Sequence, residues 1–404
     1  MRITKEAIKK RVEKIRKVMS EQKLEALVIY SGPTSVLYGT ATSANVKYLT
    51  NWADRSSPSL FILPLNADPV LFVTTPFAVG ALKEKHDLWF DDVRSESNMS
   101  LWGNSAIGIL EDRDIPKGTV GSVGLSEMPT PIYLGLTSLN DHRWKFEQTD
   151  KMMALARVVK ESEEIELHRQ AAKIADSVLY TMLNGARQPE KWAWQLLVDG
   201  EYTGRQMGAE PSTGWISTGP TADYPSFERW DSLRKIESGD RINGGTYIVY
   251  EGYWGHSIRM GIKGKPSSTL QDYFKVILQT QEEGIKNLIP GKPLANVYRA
   301  MRKIIDEHCP VDHKEDKFRF RPGHGLGLEY SEPIVTDAFP QPYLWSVNKG
   351  VEDDEVLVQK GMVLELHPNF GVPGVGMICF GDMLLVGDSG PEILTKFPRE
   401  LYEI

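Results

Sequence analysis

Apolar residues along the first 150 positions switch between two periods. Ile8, Val12, Ile15 and Val18 fall at helical spacing, so an opening helix has one apolar face and one charged face. The run Glu25-Ala26-Leu27-Val28-Ile29-Tyr30 is continuous instead and is closed by Ser31-Gly32, which reads as a buried strand. Strands are expected again at Ser59 to Leu63, Pro69 to Thr74 and Val120 to Gly124. Helices and strands interleaved in this way define an α/β domain.

A longer stripe follows. Leu167, Ala171, Ile174, Val178 and Met182 keep helical register. Ser162 is the expected N-cap, and Glu163 and Glu164 suit the positive end of the helix dipole. The domain boundary belongs near residue 155, giving units 1–155 and 156–404. Two further helices are expected, over 268–288 and 293–307, the second beginning after Pro290-Gly291 and carrying Val297, Met301, Ile304 and Ile305. Segments rich in Tyr, Val and Ile at 241–250, 253–262, 362–370 and 376–387 read as strands.

Composition narrows the function classes. A chain of 404 residues has room for two domains with buried cores. The net charge of −7 and the lack of a long basic run argue against a nucleic-acid partner. Apolar runs are strand length, short of the roughly 20 residues needed to cross a bilayer, and the N-terminus has no secretory core. A cytoplasmic protein without a membrane role is therefore expected. Cys309 and Cys379 are too few for a disulfide framework or a thiolate zinc site.

Several segments of the C-terminal half stand in a recognisable order: Gly239-Asp240, Gly252-Tyr253 with Arg259, Pro322-Gly323-His324-Gly325-Leu326-Gly327-Leu328-Glu329 with Glu332-Pro333, Gly361-Met362-Val363 with Pro368, and Asp382-Met383-Leu384-Leu385-Val386. Together they resemble the creatinase, prolidase and aminopeptidase P family. Lys47-Tyr48-Leu49-Thr50 and Lys160-Glu161-Ser162-Glu163-Glu164-Ile165 add to the likeness. The resemblance implies an α/β N-terminal domain plus an α+β pita-bread C-terminal domain.

In that family two aspartates, one histidine and two glutamates hold a pair of divalent ions, a job that suits hard carboxylate ligands. The matching positions here are Gly245, His256, His324, His367 and Gly381. The resemblance thus implies that one ion site is deleted and that the other is rebuilt from three imidazoles, His256, His324 and His367. Such donors suit one divalent ion, Fe²⁺ or Zn²⁺, with Cu²⁺ or Ni²⁺ also compatible. Histidine at two positions that carry carboxylates in the family, in a chain with eight histidines, argues against random decay. The plainer alternative is a dead site with polar fillers.

The family's two helper histidines correspond to Ser226 and Ser331, expected as hydroxyls in a catalytic pocket; neither has an adjacent base in a nucleophile elbow. Glu365 lies two residues before His367 and so on the same strand face. It is expected to orient an imidazole or act as a base, with a solvated face as the alternative. Asn243 and Tyr247 alternate with Gly245 and are expected to fill the emptied ion site, Trp254 to wall the pocket, and Asp382, Glu332 and Arg259 to brace it. Arg55 stands about two residues from the position at which, as the resemblance implies, creatinase-like relatives carry an arginine into the partner's active site, with a surface arginine as the alternative. A homodimer and a carboxylate-bearing small-molecule substrate follow from it.

These readings point to a non-peptidase metalloenzyme that hydrolyses a carbon-nitrogen or ester bond of a small polar metabolite. An iron-dependent oxygenase, a lyase on the same fold, and a metal-free binding protein are the alternatives.

Overall fold

The computed structural model describes residues 3–32, 43–54, 57–86, 88–125, 127–138, 144–210, 213–222, 233–308, 321–332 and 356–404. The chain divides into two compact units, Met1–Arg157 and Val158–Ile404.

In the first unit α1 (Lys5–Glu21) starts at Thr4, whose hydroxyl accepts the Ala7 amide at 3.3 Å. Ile8, Val12 and Ile15 of its apolar stripe are buried together with Met19, while Val18 is half-buried, and the chain then enters β1 (Leu24–Ser31). The unit continues through α2 (Ala44–Thr50), β2 (Ser59–Pro64), β3 (Val70–Val73), α3 (Pro76–Lys85), β4 (Val93–Ser95), α4 (Trp102–Asp112), β5 (Thr119–Val123), α5 (Thr130–Ser138), β6 (Lys145–Gln148) and α6 (Asp150–Arg157). The sheet order is β4-β3-β2-β1-β5-β6. Strand β1 is central, antiparallel to β2 and parallel to β5. A strand covered on both faces reads as an unbroken apolar run, which is why Ala26 to Tyr30 shows no alternation.

The second unit opens with α7 (Ser162–Gly185) and α8 (Ala193–Gln206). The cap of α7 is Glu161 rather than the expected Ser162: its carboxylate accepts the Glu164 amide, and Glu164 Oε2 accepts the Glu161 amide at 2.9 Å. This is a reciprocal capping box built from a glutamate in place of Ser or Thr. The stripe Leu167, Ala171, Ile174, Val178 and Met182 is buried, much of it against one of two half-sheets.

That half-sheet contains β7 (Thr213–Gly219), β8 (Arg241–Tyr250), β9 (Tyr253–Gly255) and β10 (Ile258–Ile262). After α9 (Ser268–Lys286) and α10 (Ala295–His308) come β11 (Arg321–Gly325), β12 (Val363–Val372), β13 (Gly376–Ile378), β14 (Asp382–Gly387), β15 (Gly390–Ile393) and β16 (Tyr402–Glu403). One sheet runs β16-β10-β8-β7 with β9 on β8, and the other β11-β12-β14-β15 with β13 on β12. Gln281 of α9 donates to the Leu366 carbonyl at 3.0 Å, holding that helix on β12. The half-sheets meet where Ile258 and Gly381 exchange backbone hydrogen bonds of 3.2 and 3.0 Å. Every ligand candidate among the described residues lies along this seam. Cys379 is fully buried, which pushes its thiol up to about 12 and leaves it inert.

Candidate metal centre

Three strand relationships bring the site together. His324 on β11 pairs directly with Glu365 on β12, so their side chains leave the same face of the sheet as cross-strand neighbours. His367 follows two residues later on that face. His256 comes from the other half-sheet, in the short link between β9 and β10. It is fixed there because Thr246 and Ser257 bond twice, amide to carbonyl at 3.1 Å and Ser257 amide to Thr246 Oγ1 at 3.2 Å.

The side chains converge. His256, His324 and Glu365 each offer one ligand atom, all within 4.8 Å of one another, and all three residues are buried. His256 Nδ1 abuts Glu365 Oε2, and His324 Nε2 stands 3.2 Å from the same oxygen. His324 Nδ1 lies 2.9 Å from the Gly325 carbonyl oxygen. A carbonyl can only accept, so Nδ1 carries the proton and Nε2 presents its lone pair, the arrangement typical of a metal-binding imidazole. His367 Nε2 is 3.9 Å from Glu365 Oε2, beside this group and outside it. The expected trio of imidazoles is therefore a group of two imidazoles and a carboxylate with a third imidazole alongside. By donor chemistry that group fits one divalent ion with open positions.

The two glycines that replace family carboxylates have different consequences. A Cβ on Gly381 would lie 2.6 Å from Glu365 Oε1 and 3.0 Å from His367 Cβ. Glu365 fills that room, so a carboxylate missing from position 381 is delivered from the neighbouring strand. A Cβ on Gly245 would instead overlap the indole of Trp215, its direct partner across β7 and β8. The indole, and not Asn243 or Tyr247, stands nearest this space. Asn243 is held to the carbonyls of Ala222 and Met377 at 3.5 and 3.4 Å, while Tyr247 stacks on His256 with ring centroids 5.3 Å apart.

An aromatic shell covers the donors. Tyr330 places its hydroxyl 3.1 Å from His256 Nδ1 and its ring 4.4 Å from that of His324. Trp254 packs edge-on against Tyr330 at 5.5 Å. Ser331 is buried one residue beyond Tyr330. Ser226 and Arg55, the other expected pocket residues, lie outside the described residues. Sequence reasoning gave no role to Trp215 or Tyr330; the aromatic residues at both positions were a signal, with no motif to interpret them.

The braces are as expected. Arg259 donates to the Gly381 carbonyl at 2.6 Å and to Asp382 Oδ1 at 2.7 Å, with both side chains fully buried. Thr395 Oγ1 donates to the same Asp382 oxygen at 2.9 Å. Glu332 bonds back to the turn after His324 through its amide, 3.1 Å from the Gly325 carbonyl.

Two half-sheets backed by helix pairs, with buried imidazoles and a carboxylate at their seam, define a metal-binding pita-bread protein. Residues 166–388, more than half of the chain, match Metallopeptidase family M24, and residues 11–159 match the Creatinase/Prolidase N-terminal domain. The chain belongs to metallopeptidase family M24. It is 25% identical over 260 residues to an Xaa-Pro dipeptidase of Pyrococcus furiosus, covering 64% of this chain and 68% of that one. To the uncharacterized peptidase YqhT of Bacillus subtilis it is 27% identical over 247 residues, covering 61% and 64%. In shape it is similar to the recombinant prolidase of Thermococcus sibiricus, with TM-score 0.78 and 21% identity over 98% of this chain and 99% of that one. The N-terminal domain of the FACT complex subunit SPT16 from chickpea is similar too, with TM-score 0.74 and 16% identity over 98% and 97%. Likeness at these identities shows the fold alone.

The family match and the peptidase relatives overturn the expectation of a non-peptidase enzyme, together with its oxygenase, lyase and binding-protein alternatives. The physical reason for the error is visible at Glu365. Glu365 stands at none of the five positions where the resemblance places ligands, yet it reaches the room in front of Gly381 from another strand. Among the described residues no helix is long and apolar enough to cross a membrane.

Proposed function

We propose that this chain is a metal-dependent peptidase that cleaves Xaa-Pro dipeptides with a single divalent ion, zinc or ferrous iron, held by His256, His324 and Glu365. The convergence of those three side chains carries the reading. Two histidines and a glutamate form the ligand set of single-zinc peptidases, which keep an open position for water or substrate. The relatives named as Xaa-Pro dipeptidases suggest the substrate class. The Trp215 indole supports a count of one, because it takes up the space in front of Gly245 where a carboxylate for a second ion would stand.

When bound, the ion supplies Lewis-acid chemistry, polarising a scissile carbonyl and acidifying water. The chain's own residues do the rest. Because Glu365 is drawn into the donor group, His367, with Nε2 3.9 Å from Glu365 Oε2, is the imidazole placed to move a proton. Tyr247 and Trp254, both buried, keep bulk water from the donors and so strengthen the electrostatics inside.

The test is hydrolysis of Ala-Pro and Met-Pro by untagged protein loaded in turn with zinc, ferrous iron and manganese. Turnover that depends on added ion and is lost in His256→Ala and Glu365→Gln supports the reading. Ion-loaded protein that leaves both dipeptides intact would sink it.

A further inference from the structure

We propose that the phenol oxygen of Tyr330 is a fourth protein donor, binding the ion directly beside His256, His324 and Glu365; this rests on the single-ion reading above. The Tyr330 hydroxyl stands 3.1 Å from His256 Nδ1, the same nitrogen that abuts Glu365 Oε2. The ring lies 4.4 Å from that of His324, so one side chain touches both candidate imidazoles.

Its position is fixed. Tyr247 packs edge-on against it at 5.2 Å, Trp254 at 5.5 Å and His256 at 5.0 Å, and the residue is buried. A buried phenol in four ring contacts is not free to swing away, so its oxygen stays beside His256 Nδ1. Phenol oxygen is a hard donor and complements two nitrogens and a carboxylate on a divalent ion. Binding breaks the O–H bond and forms an oxygen-metal bond, and the displaced proton passes to water, so charge and atoms balance. If Tyr330 served packing alone, phenylalanine would replace it without consequence at the ion.

The probe is cupric ion, added to one equivalent of the full-length protein, with bound copper measured by equilibrium dialysis and the visible spectrum recorded. A phenol-to-copper charge-transfer band is expected in the unmodified protein. Tyr330→Phe should still bind one copper, about tenfold more weakly, and lose the band, whereas Tyr247→Phe should keep it. Copper bound without such a band, a band that survives Tyr330→Phe, or one that disappears with Tyr247→Phe instead would overturn the role of Tyr330 and leave the single-ion reading standing. Unmodified protein that binds no copper would overturn both.

Discussion

Glu365 reaches from β12 into room left open by Gly381 on the neighbouring strand, where a Cβ would stand 2.6 Å from its Oε1. The carboxylate of the site therefore depends on a residue that has no side chain. Arg259 fixes that residue by donating to the Gly381 carbonyl at 2.6 Å.

Gly381→Ala is expected to separate binding from stability. Glu365 Oε1, which it meets first, is the end of a flexible side chain and can turn aside, but His367 Cβ at 3.0 Å must give by a few tenths of an ångström, so the melting temperature should fall modestly. The displaced carboxylate no longer faces His256 and His324, and ion affinity should fall by about 10–100-fold, the usual effect of disturbing the groups that set a ligand's position. Isothermal titration with zinc measures this. Unchanged affinity would show that Glu365 does not reach the ion.

The Gly245 and Trp215 pair behaves differently, because the indole cannot turn aside. Gly245→Ala should destabilise the fold by about 1–3 kcal/mol, as overpacking a core does. The same change in a Trp215→Leu background should cost little, since the clash is gone. Thermal denaturation of the two single variants and the double variant gives the coupling; additive effects would mean that the indole does not occupy the space in front of Gly245.

His168 sets an acid limit on the second unit. Burial, with a smaller contribution from the Lys160 charge, lowers its pKa from 6.5 to about 3. The folded state thus keeps the imidazole neutral while the unfolded chain takes up a proton below pH 6.5. Its stability contribution is complete above that pH and is lost progressively as pH falls from about 6.5 to about 3, by up to about 5 kcal/mol. His168→Gln, which can still donate to the Trp254 carbonyl now 3.0 Å from Nδ1, should flatten the slope of stability against pH in that window. Denaturant titrations at a series of pH values would show it; parallel curves would contradict it.

The fold was legible because its signals are local. The stripe from Leu167 to Met182 and the run from Ala26 to Tyr30 each define their element from neighbouring residues alone, and the motifs around His324 and Asp382 place the half-sheets. Strand alternation also put Glu365 and His367 on one face. What alternation could not give was how far Glu365 extends, since that is decided by Gly381 on another strand. Trp215 faces Gly245 through a pairing register, and Tyr330 meets His256 from a turn 74 residues away. These relationships are set by tertiary packing, which spacing along the chain does not carry.

Anomalous diffraction from zinc-loaded crystals of the full-length protein tests the central claim most directly. One peak per chain, bounded by His256, His324 and Glu365 with His367 beside it, is the predicted result. Two peaks at the seam, or a single peak that touches neither His256 nor Glu365, would contradict it.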